Sequence, residues 1–186
     1  MEIKFQFYPE KAVEAAAVLL RLHGKPMKYL GLLKMLYIAD RVALKQMDQP
    51  ITGDSYVSMD YGPVPSNVYD LIKQKPTNGA LELWSEFIGT TPSSKCVKLK
   101  KDPGVDELCE EEEEILKQVY CKFGNQDPFE VANWTHQLPE WQNPHGSAIP
   151  ISIESVLHYI GKSDRDIQLI RQDALRESYL DGALNG

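Results

Sequence analysis

The sequence predicts an α+β fold that is mainly α-helical, with a helical core and a small antiparallel sheet of about three short strands. Apolar residues recur at three- and four-residue intervals over several segments, which is typical of amphipathic helices. Shorter segments that alternate in polarity and are rich in β-forming residues lie between them. The chain has 186 residues, 42% of them hydrophobic, so we expect a single domain over 1–186 with a substantial core.

Proline and glycine mark the boundaries of the elements predicted in the first part of the chain. Pro9 suits the first position of a helix, and Gly24 with Pro26 would end that helix. Pro50 and Gly53 indicate a turn between the second helix and the strand that follows it. The predicted elements are helices over 9–23, 28–46 and 65–74 and a strand over 55–60.

Two further strands and a second group of helices are predicted for the rest of the chain. "EFIGTT" and "KCVKLK" would complete the sheet with the strand over 55–60. "DPFE" supplies an aspartate cap, a first-turn proline and a glutamate, a variant of the capping box that opens a helix. The predicted helices span 80–84, 106–123, 128–139, 152–160 and 164–180. A core of about 10–160 would thus carry a helical C-terminal extension of about 161–186.

Charge is distributed unevenly along the chain. Residues 1–75 contain 10 Lys and Arg against 8 Asp and Glu, a net charge of +2, whereas residues 76–186 contain 10 against 19, a net charge of −9. An acidic second part disfavours nonspecific nucleic-acid binding, which needs clustered cations. It suits a basic protein partner, and a DNA-binding regulator is the less favoured alternative.

Several other classes of protein lack their signatures in this sequence. No apolar run approaches the roughly 20 residues that span a bilayer, so we expect no membrane association. The first residues, "MEIKFQFYPE", lack the basic segment and cleavage site of a signal peptide, so we expect a cytoplasmic protein. The spacing of the cysteines and histidines does not match a disulfide framework or a metal site. Standard catalytic motifs are also missing, so no cofactor is predicted.

The segment "LLKMLYIADR" places an aspartate, Asp40, on an apolar helix face. At 100° per residue, Asp40 lies on the same side as Leu33, Leu36, Tyr37 and Leu44. A buried carboxylate without partners costs several kcal/mol, so Asp40 needs hydrogen-bond donors. The available donors are Arg41, the backbone N–H groups of "ITGD", Tyr61 and Tyr69.

Two hypotheses for Asp40 follow from this position. In the structural hypothesis, its carboxylate accepts backbone N–H groups and holds the turn, and the strand after it, against the helix. In the alternative hypothesis, Asp40, Arg41 and His136 share a cleft in an enzyme of unrecognised type. The sequence offers no clear further group for such chemistry, and the structural hypothesis is favoured.

Two aromatic segments suggest contact with a protein. "YGPVPSNVY" contains prolines that stiffen a loop beside Tyr61 and Tyr69, and rigid aromatic side chains lose little entropy on binding. The alternative is a plain connection between a strand and a helix. "WTHQLPEW" places Trp134 and Trp141 around a proline turn, where each is either a core residue or an anchor for a partner.

Three ordered motifs resemble the Panacea domain of SocA-type antitoxins and phage-associated proteins. These are "LLKMLYIADR", "PITGDSYVSMDYGPVPSNVYDLI" and "THQLPEW", so the resemblance covers about Glu10 to Trp141. The positions that match the family pattern are Tyr37, Asp40, Arg41, Thr52, Gly53, Asp54, Tyr61, Gly62, Pro63, Pro65, Tyr69, His136 and Trp141.

The resemblance implies an antitoxin, a cytoplasmic bacterial or phage protein that neutralises a co-encoded toxin by direct binding. It implies no cofactor and no catalytic activity. It also implies that some members act as proteolytic adaptors, for which a cytoplasmic protease would be a further partner. It gives no individual role to any matched residue, so these residues are candidates either for holding the structure or for binding the partner.

Overall fold

The structure, a computed structural model, describes residues 1–185. The helices are α1 (Pro9–His23), α2 (Tyr29–Met47), α3 (Ser66–Ile72), α4 (Ala80–Phe87), α5 (Glu110–Phe123), α6 (Pro128–Thr135), α7 (Ile153–Tyr159) and α8 (Asp164–Leu184). The strands are β1 (Met27–Lys28), β2 (Tyr56–Met59), β3 (Gly62–Pro65), β4 (Ile88–Thr91), β5 (Cys96–Leu99) and β6 (Ile149–Ile151).

Helix α2 is the centre of the helical core. Most of its residues are buried, and it packs against α1, α5 and α6. Helix α1 presents small buried side chains, including Ala12, Ala15 and Ala16, which allow neighbouring helices to approach closely. It ends at Gly24, which adopts a positive φ of 70°. A helix buried on almost every side is expected to carry few polar residues, so the polar residues of α2 need specific partners.

The predicted α+β, mainly α-helical class is confirmed, but the strands pair differently from the prediction. Within residues 1–185 they form two antiparallel sheets of three strands, in the orders β1–β5–β4 and β3–β2–β6. The strand predicted over 55–60 therefore does not join those of "EFIGTT" and "KCVKLK". Strand β2 turns directly into β3, and a tight turn makes the next segment its nearest partner.

Prolines concealed two strands from the sequence prediction. Strand β3 contains Pro63 and Pro65, and β6 contains Pro150, and proline has no N–H group to donate to a sheet. Both strands lie at the edges of their sheet, where one side of the backbone needs no partner strand. The sheet therefore tolerates prolines that would be excluded from its central strand.

Helix α5 begins at Glu110, later than predicted, because its capping box forms at Cys109 and Glu112, after a segment that α1 binds. The buried carboxylate of Glu14 accepts the N–H groups of Glu107 and Leu108, at 2.9 and 3.1 Å. The capping box forms after this segment: Cys109 is the N-terminal cap, and its N–H donates to Glu112 at 3.0 Å. The other predicted helices are present, with ends that differ by a few residues.

The C-terminal helices pack on the N-terminal segment and on α2. Ile3, Tyr37, Leu157 and Ile170 belong to one buried apolar cluster. The Ile3 N–H also donates to Glu154 at 2.6 Å. Residue 186, the last of the predicted extension, lies outside the described residues. Among the residues described, each helix is too short or too polar to cross a membrane.

The N-terminal segment restricts which residue can follow Thr52. The Tyr8 N–H donates to the Thr52 carbonyl at 3.0 Å, and a Cβ at position 53 would lie 1.8 Å from the Gln6 carbonyl oxygen. Gly53 also has a φ of +69°, which L side chains rarely adopt. Both the space and the backbone conformation therefore require glycine.

We predict that Gly53→Ala destabilises the protein by about 3 kcal/mol or more, since it adds a clash to a strained backbone. The matched control is Gly24→Ala, because Gly24 has a φ of +70° but no atom within 4 Å of the added Cβ. The control should cost only about 1 kcal/mol. Urea unfolding of the two variants measures the difference, and equal losses would contradict the steric argument.

Candidate functional site

The Asp40 carboxylate is fully buried and accepts four hydrogen bonds, a group that we call the Asp40 cluster. Its Oδ1 accepts the N–H groups of Ile51 and Thr52, at 2.9 and 3.0 Å. Its Oδ2 accepts the hydroxyls of Thr52 and Tyr56, at 2.5 and 2.9 Å. The turn after Pro50 and the first residue of β2 are thereby fixed to α2.

Asp54 extends the Asp40 cluster to the start of α3. The Asp54 N–H donates to the Thr52 hydroxyl oxygen at 3.2 Å. Its buried carboxylate accepts the N–H groups of Asn67 and Val68, at 2.8 and 3.0 Å, and the Asn67 side-chain amide at 2.8 Å. The first N–H groups of a helix have no partners within it, so Asp54 acts as a cap supplied from outside α3.

Burial governs the protonation of both carboxyls. It raises the pKa of Asp40, while the hydrogen bonds from Thr52, Tyr56 and Ile51 act in the opposite direction. Burial raises the pKa of Asp54 to about 7, against the effect of the Asn67 and Val68 N–H groups. Burial therefore favours the protonated form of both carboxyls, and the N–H and hydroxyl groups that donate to them favour the ionised form.

Arg41 and Tyr37 bind a second buried carboxylate, that of Glu140. Arg41 Nε donates to Glu140 Oε1 at 2.7 Å, and the Tyr37 hydroxyl donates to the same oxygen at 2.8 Å. Burial and the adjacent Glu140 raise the pKa of Tyr37 well above its usual value. The loop that follows α6 is thereby attached to α2.

The turn between β2 and β3 is held from two sides. His136 Nε2 lies 3.0 Å from the Asp60 carbonyl oxygen, an acceptor only, so this nitrogen carries a proton. Trp141 Nε1 donates to the Met59 carbonyl at 2.9 Å, and the His136 and Trp141 rings stack with centroids 4.1 Å apart. The Gly146 N–H donates to Asp60 Oδ1 at 2.9 Å. These contacts fix the conformation of the turn.

Lys34 supports the same turn from inside the protein. The residue is 0% exposed, and its Nζ donates to the Pro63 carbonyl at 2.8 Å. Lys34 also lies close to the backbone of Gly62, where there is no room for a side chain. A Cβ at Gly62 would lie 2.3 Å from the Thr135 hydroxyl oxygen and 3.3 Å from Lys34 Nζ. Burial lowers the pKa of Lys34 to about 7, because the charged form loses its hydration.

Tyr61, at the tip of this turn, points to solvent. Its side chain is 58% exposed and contacts Phe129, itself 56% exposed, edge to face with ring centroids 5.6 Å apart. Tyr69 is partly buried on α3, with Lys73 Nζ 5.6 Å from the centre of its ring. Pro65 is buried and precedes α3. Of these matched residues, Tyr61 is therefore the best placed to contact a partner.

The three residues of the enzyme hypothesis each contact a different group. Asp40 binds the turn at 51–52 and Tyr56, Arg41 binds Glu140, and His136 binds the Asp60 carbonyl. Asp40 has no exposed surface with which to meet a substrate. Within residues 1–185, the geometry therefore gives these three side chains no shared reaction centre.

Sequence reasoning missed several of the residues that complete these contacts. Of the donors considered for Asp40, the turn supplies two N–H groups. The other three do not bind it: Arg41 binds Glu140, Tyr61 faces solvent and Tyr69 lies beside Lys73 on α3. The helical wheel could have flagged Lys34, which falls on a largely buried helix. Nothing local to "QLPEW" indicates that Glu140 is buried against α2, because that contact joins residues 99 apart in the sequence.

We predict that Asp40→Asn destabilises the fold by about 2–4 kcal/mol, because an amide replaces an acceptor oxygen where hydroxyls and N–H groups donate. Asp70→Asn is the matched control, since Asp70 is partly exposed and its carboxylate, within residues 1–185, pairs only with Lys75, at 3.5 Å. The control should change the free energy of unfolding, measured in urea, by at most about 0.5 kcal/mol. A stable Asp40→Asn variant that fails to bind its partner would instead support a functional role.

We also predict that Lys34 makes stability depend on pH. The folded-state pKa of Lys34 is about 7, below the ordinary value of 10.5. Between these values the unfolded chain binds a proton that the folded chain lacks, so stability rises with pH across this window. Relative to Lys34→Met, the native chain should gain about 2 kcal/mol between about pH 7 and about pH 9. Urea unfolding at several pH values measures this gain. The control is Lys45→Met, an exposed change on α2 that keeps Lys34, so the difference in stability between it and the native chain should stay constant with pH.

Comparison with known proteins places these contacts within a defined domain. Residues 32–142 match the family described as antitoxin SocA-like, Panacea domain. No curated protein and no solved structure matches the chain. The matched segment begins in α2 and ends just after Trp141, so it contains the Asp40 cluster, the β2–β3 hairpin and the loop that holds it. Since the match covers more than half of the chain, the protein belongs to the SocA-like antitoxin family that carries the Panacea domain.

Proposed function

We propose that the protein is the antitoxin of a bacterial or phage toxin–antitoxin system and neutralises a co-encoded toxin by binding it directly. The observation that carries the proposal is the family match over residues 32–142. The geometry supports it, because the polar motif residues Tyr37, Asp40 and Arg41 are engaged in internal hydrogen bonds. The motif thus builds a scaffold and leaves recognition to the exposed surface.

The acidic part of the chain favours a toxin with a basic surface. Residues 76–186 carry the net charge of −9, and exposed carboxylates lie along α5 and α8, including Glu110, Glu111, Glu114, Asp173 and Glu177. Opposite charges on two proteins accelerate their encounter and orient it. Association should therefore be faster at low salt than at high salt.

We further propose that binding masks the toxin or holds it in an inactive state in the cytoplasm. In the extended form of this hypothesis, the antitoxin also delivers the toxin to a cytoplasmic protease. The two forms differ in an observable quantity, since an adaptor shortens the lifetime of the toxin whereas a masking partner leaves it unchanged. Pulse-chase measurement of toxin levels, with and without the antitoxin, distinguishes them.

Co-expression with the product of the adjacent gene tests the proposal. That product should arrest growth when expressed alone and become harmless when this protein is co-expressed and forms a complex with it. The association rate of the purified proteins should fall as salt rises, and Glu110→Gln/Glu111→Gln/Glu114→Gln should slow it. If the product is harmless alone, or stays harmful in a stable complex, the antitoxin proposal is wrong.

A further inference from the structure

We propose that the exposed aromatic surface around Tyr61 docks a protein segment that presents an apolar or aromatic side chain flanked by carboxylates. This inference rests on the proposed function and assigns the toxin's docking segment to one place on the fold. The surface, which we call the Tyr61 surface, consists of Tyr29, Leu30, Tyr61, Pro128 and Phe129, with Lys28, Lys95 and Asp127 at its edge.

The Tyr61 surface is an apolar depression and not a flat face. It encloses about 270 Å³ between the start of α2, the β2–β3 turn and the start of α6. Tyr61 and Phe129 are both more than half exposed, and their rings meet at 75°. Large aromatic side chains around a depression are the usual energetic anchors of protein interfaces.

Both sides of the depression are fixed before a partner binds. The Tyr61 turn is held by the hydrogen bonds to the Met59 and Asp60 carbonyls and, from beneath, by that of Lys34 to Pro63. On the other side, Asp127 Oδ1 accepts the Phe129 N–H at 2.8 Å, which caps α6. Little backbone conformational entropy remains to be lost on binding, and this favours affinity.

The charge at this surface is opposite to that of the chain as a whole. Two exposed lysines, Lys28 and Lys95, lie at the edge, and a third, Lys73, donates to the Tyr29 hydroxyl at 3.0 Å. Among the described residues that line the edge, Asp127 supplies one carboxylate, which caps α6, and Lys28 also donates to the Ser94 carbonyl. Although the chain has a net charge of −7, the positive charge of these lysines favours a partner that carries carboxylates beside its apolar anchor.

The observations favour this partner over two other occupants. In a symmetric pair of this chain, both sides of the interface would carry the same two lysines and the same carboxylate of Asp127, so the positive charge would stay unbalanced. Aromatic rings and lysines also occur in proteins that bind single-stranded nucleic acid, but a phosphate backbone needs a row of cations along its length, whereas this edge carries Lys28 and Lys95 beside the carboxylate of Asp127. A protein segment with its own carboxylates satisfies both the apolar surface and the lysines.

A random linear peptide library displayed on phage, panned against the full chain, tests the inference. Enriched peptides should share an aromatic or aliphatic residue beside Asp or Glu. A synthetic copy of the leading peptide should lose about tenfold or more in affinity for Tyr61→Ala/Phe129→Ala, measured by fluorescence anisotropy. The matched control is Tyr159→Ala/Tyr179→Ala, which removes exposed aromatic side chains from α7 and α8 and should leave affinity unchanged.

A charge variant separates the lysine edge from the aromatic anchors. Lys28→Glu/Lys95→Glu should weaken the same peptide, whereas Lys45→Glu/Lys98→Glu, at exposed positions elsewhere, should not. The inference is overturned if no peptide is enriched, if enriched peptides carry Lys or Arg beside the anchor, or if they bind the aromatic variant equally well. It is also overturned if the Tyr61 surface instead mediates self-association in sedimentation, or binds an oligothymidine more tightly than the peptide.

The toxin itself distinguishes failure of this inference from failure of the proposed function. If the adjacent gene's product binds the native chain and Tyr61→Ala/Phe129→Ala equally well, the docking surface is wrong and the antitoxin role stands. If that product does not bind the native chain at all, the antitoxin role is wrong. If only the aromatic variant loses binding, both are supported, provided that its urea unfolding matches that of the native chain.

Discussion

The burial of one carboxylate, that of Asp40, is the constraint on which the rest of the structure depends. An unpaired carboxylate there would cost several kcal/mol, a large part of the net stability of a domain. All four donors that satisfy it come from the short segment between Ile51 and Tyr56. The position of that segment then determines where Asp54 caps α3, and it places Gly53 against the backbone at Gln6. One buried charge thus orders three separate elements.

The other polar residues of α2 extend this principle to more distant parts of the chain. Lys34 binds the carbonyl of Pro63 in β3, while Tyr37 and Arg41 bind Glu140 in the loop after α6. Apolar packing is non-directional and permits small shifts, whereas each of these hydrogen bonds requires a definite distance and angle. The hairpin and the loop are therefore attached to α2 at fixed positions, and the same loop holds the hairpin turn from outside.

Local patterns predicted the helices and the burial of Asp40, because both depend on residues close together in the sequence. The helical wheel identifies the apolar side of α2, and Pro50 and Gly53 indicate the turn that supplies N–H groups. The contacts of Glu140 and the pairing of β2 with β6 depend on chain segments far apart, which local patterns do not encode. The Tyr61–Phe129 pair escaped prediction for the same reason, since it joins a turn to the start of a distant helix.

The division between interior and surface explains how a domain built around buried polar groups can serve as a binding protein. We expect changes in the Asp40 cluster to lower stability through the elements attached to it, and to reduce binding only as far as they reduce the folded fraction. Tyr61 is different, since its side chain faces solvent. The backbone on either side of it is fixed, because the carbonyls of Met59, Asp60 and Pro63 accept hydrogen bonds from Trp141, His136 and Lys34. The interior thus holds the backbone of the hairpin, while Tyr61 and Phe129 remain more than half exposed. For the docking that we propose at the Tyr61 surface, partner choice is separable from folding, because Asp40 is buried in α2 whereas Tyr61 faces solvent on the hairpin.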